Sequence, residues 1–92
     1  MDVQALFNKF AGQEVPVKAV IDGEKYEEWA LVNDKDPVLQ EMFDVATKSG
    51  LFVRVWLPDS FGTEEYRTDR LNVYIEPDSK GKWTVSDRFT IG

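Results

Sequence analysis

The chain has 92 residues, 42% of them hydrophobic, which is enough for one small domain (residues 1–92) with a single core. The balance of 17 acidic against 11 basic residues gives a net charge of −6, which disfavours nucleic acid and anionic membranes as partners. Cysteine and histidine are absent from the sequence, which excludes disulfides, thiolate nucleophiles, histidine general bases and the usual zinc ligands.

Residues 1–33 predict a short helix followed by a hairpin. Asp2 can cap a helix that Gly12 ends, with apolar residues at helical spacing: Val3, Leu6, Phe7 and Phe10. Two strand-forming segments, residues 15–21 and 26–32, flank Asp22-Gly23, a dipeptide typical of tight hairpin turns.

Two aromatic residues of this hairpin, Tyr26 and Trp29, allow two interpretations. They either pack into the core or form an aromatic patch that a partner protein contacts. Core packing is the favoured interpretation.

A second helix is predicted from residue 37 onward. Asp36 is a capping residue, Pro37 suits the first helical position, and Lys48-Ser49-Gly50 ends the helix. One stripe of the helix is apolar: Val38, Leu39, Met42, Phe43 and Ala46. We expect this stripe to form the main core against strand residues Leu51, Val53, Val55, Leu71 and Val73.

The C-terminal half predicts three strands. Residues 51–57 are almost continuously apolar, which indicates a strand buried on both faces. The next strand alternates and should bury one face: Leu71, Val73 and Ile75 against Arg70, Asn72, Tyr74 and Glu76. Residues 77–81 form a turn cluster, and a last strand runs from Trp83 to Ile91 with an interruption near Ser86-Asp87.

The acidic residues do not indicate an enzyme. Paired carboxylates such as Glu64 and Glu65 divide acid and base roles only when both face a cleft, whereas neighbours on a strand point to opposite faces. Asp34, Asp36 and Asp44 lack the spacing of a calcium loop. We therefore expect solvated surface charge, with no catalytic residue, no cofactor and no metal site.

The segment between Pro58 and Leu71 concentrates charge. It contains Thr63-Glu64-Glu65-Tyr66-Arg67 and then Asp69-Arg70, and carboxylates and arginines this close can brace the segment. Taken alone, the pattern favours an ordinary polar connection with weak surface ion pairs.

These residues resemble the reactive-site region of the potato inhibitor I family of serine-protease inhibitors, which includes eglin and the barley chymotrypsin inhibitors. Trp56-Leu57-Pro58 is similar to the end of the family's first central strand, and Asp69-Arg70-Leu71 to the start of the second. The run Asp69 to Val73 also resembles a related family of small bacterial peptidase inhibitors. Arg88 to Gly92 is similar to the family's C-terminal residues. The resemblance covers residues 36–92, so residues 1–33 are an extension without counterpart in the family.

The resemblance implies an α+β fold, with a small mixed sheet packed on one main helix and an exposed loop, about residues 58–68, between two central parallel strands. It also implies a serine-protease inhibitor, with Glu64 in the protease's primary pocket and a scissile bond from Glu64 to Glu65. The implied protease-binding residues are Phe61, Gly62, Thr63, Glu64, Glu65, Tyr66 and Arg67. Arg70 and Asn72 are the implied loop supports, with Arg70 contacting Thr63 or Glu65.

The sequence departs from the family at several positions. Asn72 stands where the plant inhibitors often have a second bracing arginine, Gly62 adds flexibility, and the loop is one residue shorter. A glutamate at position 64 suits only a glutamate-selective or open-pocket protease, because a carboxylate buried without a partner is costly. The alternative function is a non-inhibitory protein–protein interaction module on the same fold.

We expect a monomer in either case. The opening residues contain no secretory signal, which predicts a cytoplasmic protein, with a mature secreted form as the alternative.

Overall fold

The computed structural model describes residues 2–22, 26–58 and 67–92, and it has the predicted α+β fold. The described helices are α1 (Val3–Phe7), a 3-10 helix (Asn8–Phe10) and α2 (Pro37–Lys48). The described strands are β1 (Val17–Asp22), β2 (Tyr26–Leu31), β3 (Phe52–Trp56), β4 (Arg70–Pro77) and β5 (Trp83–Ile91).

The main sheet is mixed, as predicted. Its strand order is β3-β4-β5, with β3 parallel to β4 and β4 antiparallel to β5. Of the two strands expected to be central, β4 is central, whereas β3 lies at an edge of the described sheet. Along the opposite side of β5, the Val15 amide donates to the Trp83 carbonyl at 2.9 Å. Residues before β1 therefore cover part of that edge.

Local sequence signals explain the bounds of α2. The Asp36 carboxylate accepts a hydrogen bond from the Val38 amide at 2.9 Å, and Pro37 occupies the first helical position. At the other end Gly50 has a φ of 75°, a left-handed conformation that glycine adopts at little cost. The predicted helix is confirmed, including its start and its stop.

The core lies between α2 and one face of the sheet, and it includes α1. The predicted α2 stripe and strand residues are all part of it, with Leu39, Met42 and Ala46 fully buried and Phe43 only partly buried. Phe7 and Phe10 are also fully buried, and the Phe7 ring lies 5.9 Å from the Phe89 ring between centroids. Helix α1 and the 3-10 helix that follows it thus each contribute one of the largest core side chains.

The predicted burial of β3 on both faces is wrong. Phe52 is 48% exposed, and the other four residues of the strand are only partly buried. β3 is less buried than expected because it is an edge strand of the described sheet and has a neighbouring strand on one side only.

The predicted single buried face of β4 is also wrong at its start. Arg70 and Asn72, on the face opposite the helix, are 8% and 7% exposed. Their burial is tolerated because their polar atoms make hydrogen bonds.

The N-terminal hairpin is confirmed, because β1 and β2 pair antiparallel. Its turn, residues 23–25, and the side chain of Tyr26 lie outside the described residues. Trp29 is partly buried, and its ring lies 4.8 Å from the Trp83 ring, a contact of the kind that the packing interpretation expects.

The predicted interruption of the last strand is a β-bulge. Val73 pairs with Phe89 and Ile75 with Val85, so residues 86–88 of β5 lie opposite Tyr74 alone. The strand itself is continuous from Trp83 to Ile91.

Candidate functional site

The parallel pairing of β3 and β4 determines where their connection runs. Trp56 pairs with Tyr74, and Arg70 pairs with Phe52 at the other end of β3. The chain leaving Trp56 must return about 13 Å along the sheet before it enters β4, at ~3.3 Å per strand residue. An extended chain covers about 3.3 Å or more per residue, so residues 57–69 could span a distance far greater than the one between the end of β3 and the start of β4.

Most predicted protease-binding residues fall outside the described part of the chain. Phe61, Gly62, Thr63, Glu64, Glu65 and Tyr66 belong to residues 59–66, which the structure does not describe. The predicted contact of Arg70 with Thr63 or Glu65 involves the same segment and stays a prediction. Arg67, Arg70 and Asn72 are described.

Arg67 forms a two-point ion pair with Asp69. Its Nε donates to Oδ1 at 3.1 Å and its Nη2 to Oδ2 at 3.2 Å, while its guanidinium lies 4.8 Å from the Phe52 ring centroid. The hydrogen bond from Arg67, supported by its charge, holds the pKa of the Asp69 carboxyl below its ordinary value. The pair and the ring contact connect the last residues before β4 to the start of β3.

Arg70 and Asn72 converge on one main-chain oxygen. Arg70 Nε donates to the Gly92 oxygen at 2.6 Å, and Asn72 Nδ2 donates to the same atom at 3.1 Å. The Gly92 amide donates back to the Arg70 carbonyl at 3.1 Å. The two predicted loop supports are therefore brought together, and the residue that unites them is Gly92.

Asn72 also links β4 to both neighbouring strands. Its Oδ1 accepts a hydrogen bond from Trp56 Nε1 at 2.8 Å, and its Nδ2 lies 3.4 Å from Thr90 Oγ1. Sequence reasoning missed the contact with Trp56. The only available signal was the parallel register, which brings both side chains to the same face.

A cavity of about 330 Å³ lies where β3 ends and is lined by residues 56–58 and 74–77. Its side chains include two aromatic rings, Trp56 and Tyr74, and one carboxylate, Glu76. This pocket was not predicted from the sequence. It depends on where β3 ends relative to β4, which residue types alone do not reveal.

Comparison with protein-family models, curated proteins and solved structures gives no significant match. The described helices include none long and apolar enough to cross a membrane.

Proposed function

We propose that this protein is a serine-protease inhibitor that presents residues 58–68 as a substrate-like loop, with Glu64 in the primary pocket and the Glu64–Glu65 bond as the scissile bond. The observation that carries the proposal is the parallel pairing of β3 with β4. Parallel neighbours require a connection that crosses back along the sheet, and most proteins use a helix for this crossing. Here the connecting sequence is the charged segment that resembles a reactive loop.

The anchoring of the segment's last residues supports the proposal. The Arg67 guanidinium contacts both Asp69 and the Phe52 ring, and Arg70 is buried and hydrogen-bonded to Gly92. Charge-assisted bonds that are partly shielded from water contribute about 1.5–3 kcal/mol, more than exposed pairs do. The bond of the buried Arg70 belongs to this stronger class, whereas the exposed Arg67–Asp69 pair is expected to contribute less.

A firmly held loop inhibits by a simple physical route. A serine protease binds an extended segment and attacks one carbonyl, and a segment already fixed in that shape loses little conformational entropy on binding. If both ends stay in place after cleavage, the new amine remains next to the acyl-enzyme and re-forms the peptide bond. The mechanism requires no catalytic residue of the inhibitor.

The proposal is tested by exchanging the residue in the primary pocket. We expect inhibition of a glutamate-selective serine protease, substantially weakened in Glu64→Ala, and new inhibition of a chymotrypsin-like enzyme by Glu64→Leu. Glu41→Ala is the matched control, because Glu41 is an exposed residue of α2 whose only described ion pair is with Lys9. Equal inhibition by wild type and Glu64→Ala would contradict the assignment of the pocket residue.

The second candidate is a non-inhibitory protein-binding module. The pocket formed by residues 56–58 and 74–77 favours it, since aromatic pockets are common anchoring points in protein interfaces. Loss of partner binding after substitution in this pocket, with no protease affected by any Glu64 variant, would favour this candidate.

A further inference from the structure

One face of the main sheet, the face opposite α2, collects every arginine of the sequence: Arg54, Arg67, Arg70 and Arg88. Val53 and Val55 pack against the core, so Arg54 between them points to the opposite face. Arg70 precedes the core residue Leu71 and points to the same face. Arg67 and Arg88 contact this face through the rings of Phe52 and Tyr74. We call this surface the arginine face.

Two of these arginines lie over the rings of a cross-strand pair. The Arg54 guanidinium is 4.2 Å from the Trp56 ring centroid, and the Arg88 guanidinium is 4.2 Å from that of Tyr74. Trp56 and Tyr74 are partners in the parallel register, so the two contacts lie next to each other on the sheet. The β-bulge contributes to this arrangement, because it places residues 86–88 opposite Tyr74 alone, and bulges commonly redirect a side chain.

Arg54 and Arg88 retain donors for a carboxylate. The ion pairs among the described residues include neither of them, whereas Arg67 pairs with Asp69 and Arg70 donates to the Gly92 oxygen. Arg54 is partly exposed and Arg88 is exposed. The N–H groups of a guanidinium lie in its own plane and form a fork that matches a carboxylate, and the group can stack on a ring at the same time.

We propose that the arginine face binds an acidic, extended segment of a partner polypeptide, with one carboxylate on Arg54 and another on Arg88. These two residues belong to β3 and β5, whose backbones lie about 10 Å apart, a distance that about three extended residues cover. The net charge of −6 opposes an acidic partner at long range, but salt screens this repulsion beyond about 8 Å at physiological ionic strength. Direct pairing with the two arginines then determines binding.

The residues that carry this proposal are all described, and it does not depend on protease inhibition. It gives the second candidate function, the protein-binding module, a class of partner.

The experiment is an NMR titration of the ¹⁵N-labelled protein with the blocked peptide Gly-Glu-Glu-Glu-Glu-Gly at about 0.15 M salt. We expect saturable shifts at the Nε–H groups of Arg54 and Arg88 and at the Trp56 indole N–H. The matched peptide with glutamine in place of glutamate should produce none at the same concentrations, because it lacks the carboxylates.

Three variants assign the binding to the two arginines. Arg54→Gln and Arg88→Gln should each weaken peptide binding about threefold to fivefold. Arg88 is exposed, so its replacement should leave the fold intact. Lys48→Gln is the matched control, because it removes the same charge from the end of α2, where the exposed Lys48 pairs with Asp44. It should bind the peptide like wild type.

Four results would overturn the proposal: no saturable shift up to about 10 mM peptide, equal binding of the glutamine peptide, wild-type affinity in both arginine variants, or an equal loss in Lys48→Gln. Shifts of the same groups that depend on protein concentration without peptide would assign the arginine face to a second copy instead. Glu64→Ala should bind the peptide like wild type, and tighter binding would assign the face to the chain's own residues 59–66. The arginine variants and the Glu64 variants thus distinguish a failure of this proposal from a failure of protease inhibition.

Discussion

Replacing Asn72 by leucine tests how the sheet face beneath the proposed loop is held together. Asn72 is 7% exposed and connects three strands through Trp56, Thr90 and Gly92. Leucine has the same number and branching of side-chain heavy atoms as asparagine but no polar atom, so the substitution removes the hydrogen bonds and keeps the branched shape of the side chain.

The hydrogen bonds that Asn72→Leu removes determine the expected loss in the free energy of unfolding. Trp56 Nε1 loses its 2.8 Å acceptor, and a buried donor without a partner costs about 1–3 kcal/mol. Trp56 is only partly buried, so water recovers some of this energy. The Gly92 oxygen keeps its bond from Arg70 and is not left without a donor. We therefore expect a loss of about 2 kcal/mol in the free energy of unfolding, or roughly 8–16 °C in Tm.

Urea and thermal unfolding followed by circular dichroism measure this loss, and the NMR resonance of the Trp56 indole N–H reports the bond itself. Tyr74→Phe is the control, because it removes only the long 3.4 Å contact between Tyr74 and Thr90. Its expected cost is under about 0.5 kcal/mol. If Asn72→Leu is as stable as wild type and the indole resonance does not move, the hydrogen bond does not hold the sheet face.

Phe10→Ala should lower the free energy of unfolding by about 3–5 kcal/mol and Phe43→Ala by clearly less, because Phe10 is fully buried and Phe43 is not; urea unfolding showing the reverse order would be incompatible with the described core. The Asp69 carboxyl should titrate below an ordinary aspartate in ¹³C NMR, and Arg67→Gln should raise its pKa. Because this pKa is lowered on folding, the pair stabilises the fold above the unfolded-state pKa, and the contribution is lost as pH falls through the lowered folded-state pKa; an unshifted Asp69 would mean that the pair does not form. Arg70→Ala should speed proteolytic nicking within residues 59–66 and also lower Tm, since Arg70 is buried and hydrogen-bonded to Gly92. An unchanged rate of nicking would show that Arg70 does not support the loop.

Elements with strong local signals could be predicted from the sequence. The Asp36-Pro37 start and the Gly50 stop of α2 act within a few residues, so the pattern alone was sufficient. The interruption of the last strand was also visible, because polar residues at Ser86-Asp87 break an apolar pattern, and the bulge lies there.

Features that depend on distant parts of the chain could not be predicted in the same way. The apolar residues of β3 suggested burial on both faces, but an edge position leaves Phe52 exposed. Asn72 and Arg70 looked like surface residues, and their hydrogen bonds to the Gly92 oxygen depend on a residue 20 or more positions further along the chain. The pocket beside Glu76 arises from the unequal lengths of two paired strands, a property of register and not of composition.

The most direct test of protease inhibition mixes the protein with an equimolar amount of a glutamate-selective serine protease. Protease activity and the mass of the Glu64–Glu65 segment are then followed together over time. The proposed mechanism predicts lasting loss of protease activity while the bond stays largely intact, or reaches a stable mixture of intact and cleaved forms. Rapid and complete cleavage of the segment, with full protease activity and no lasting complex, would contradict it.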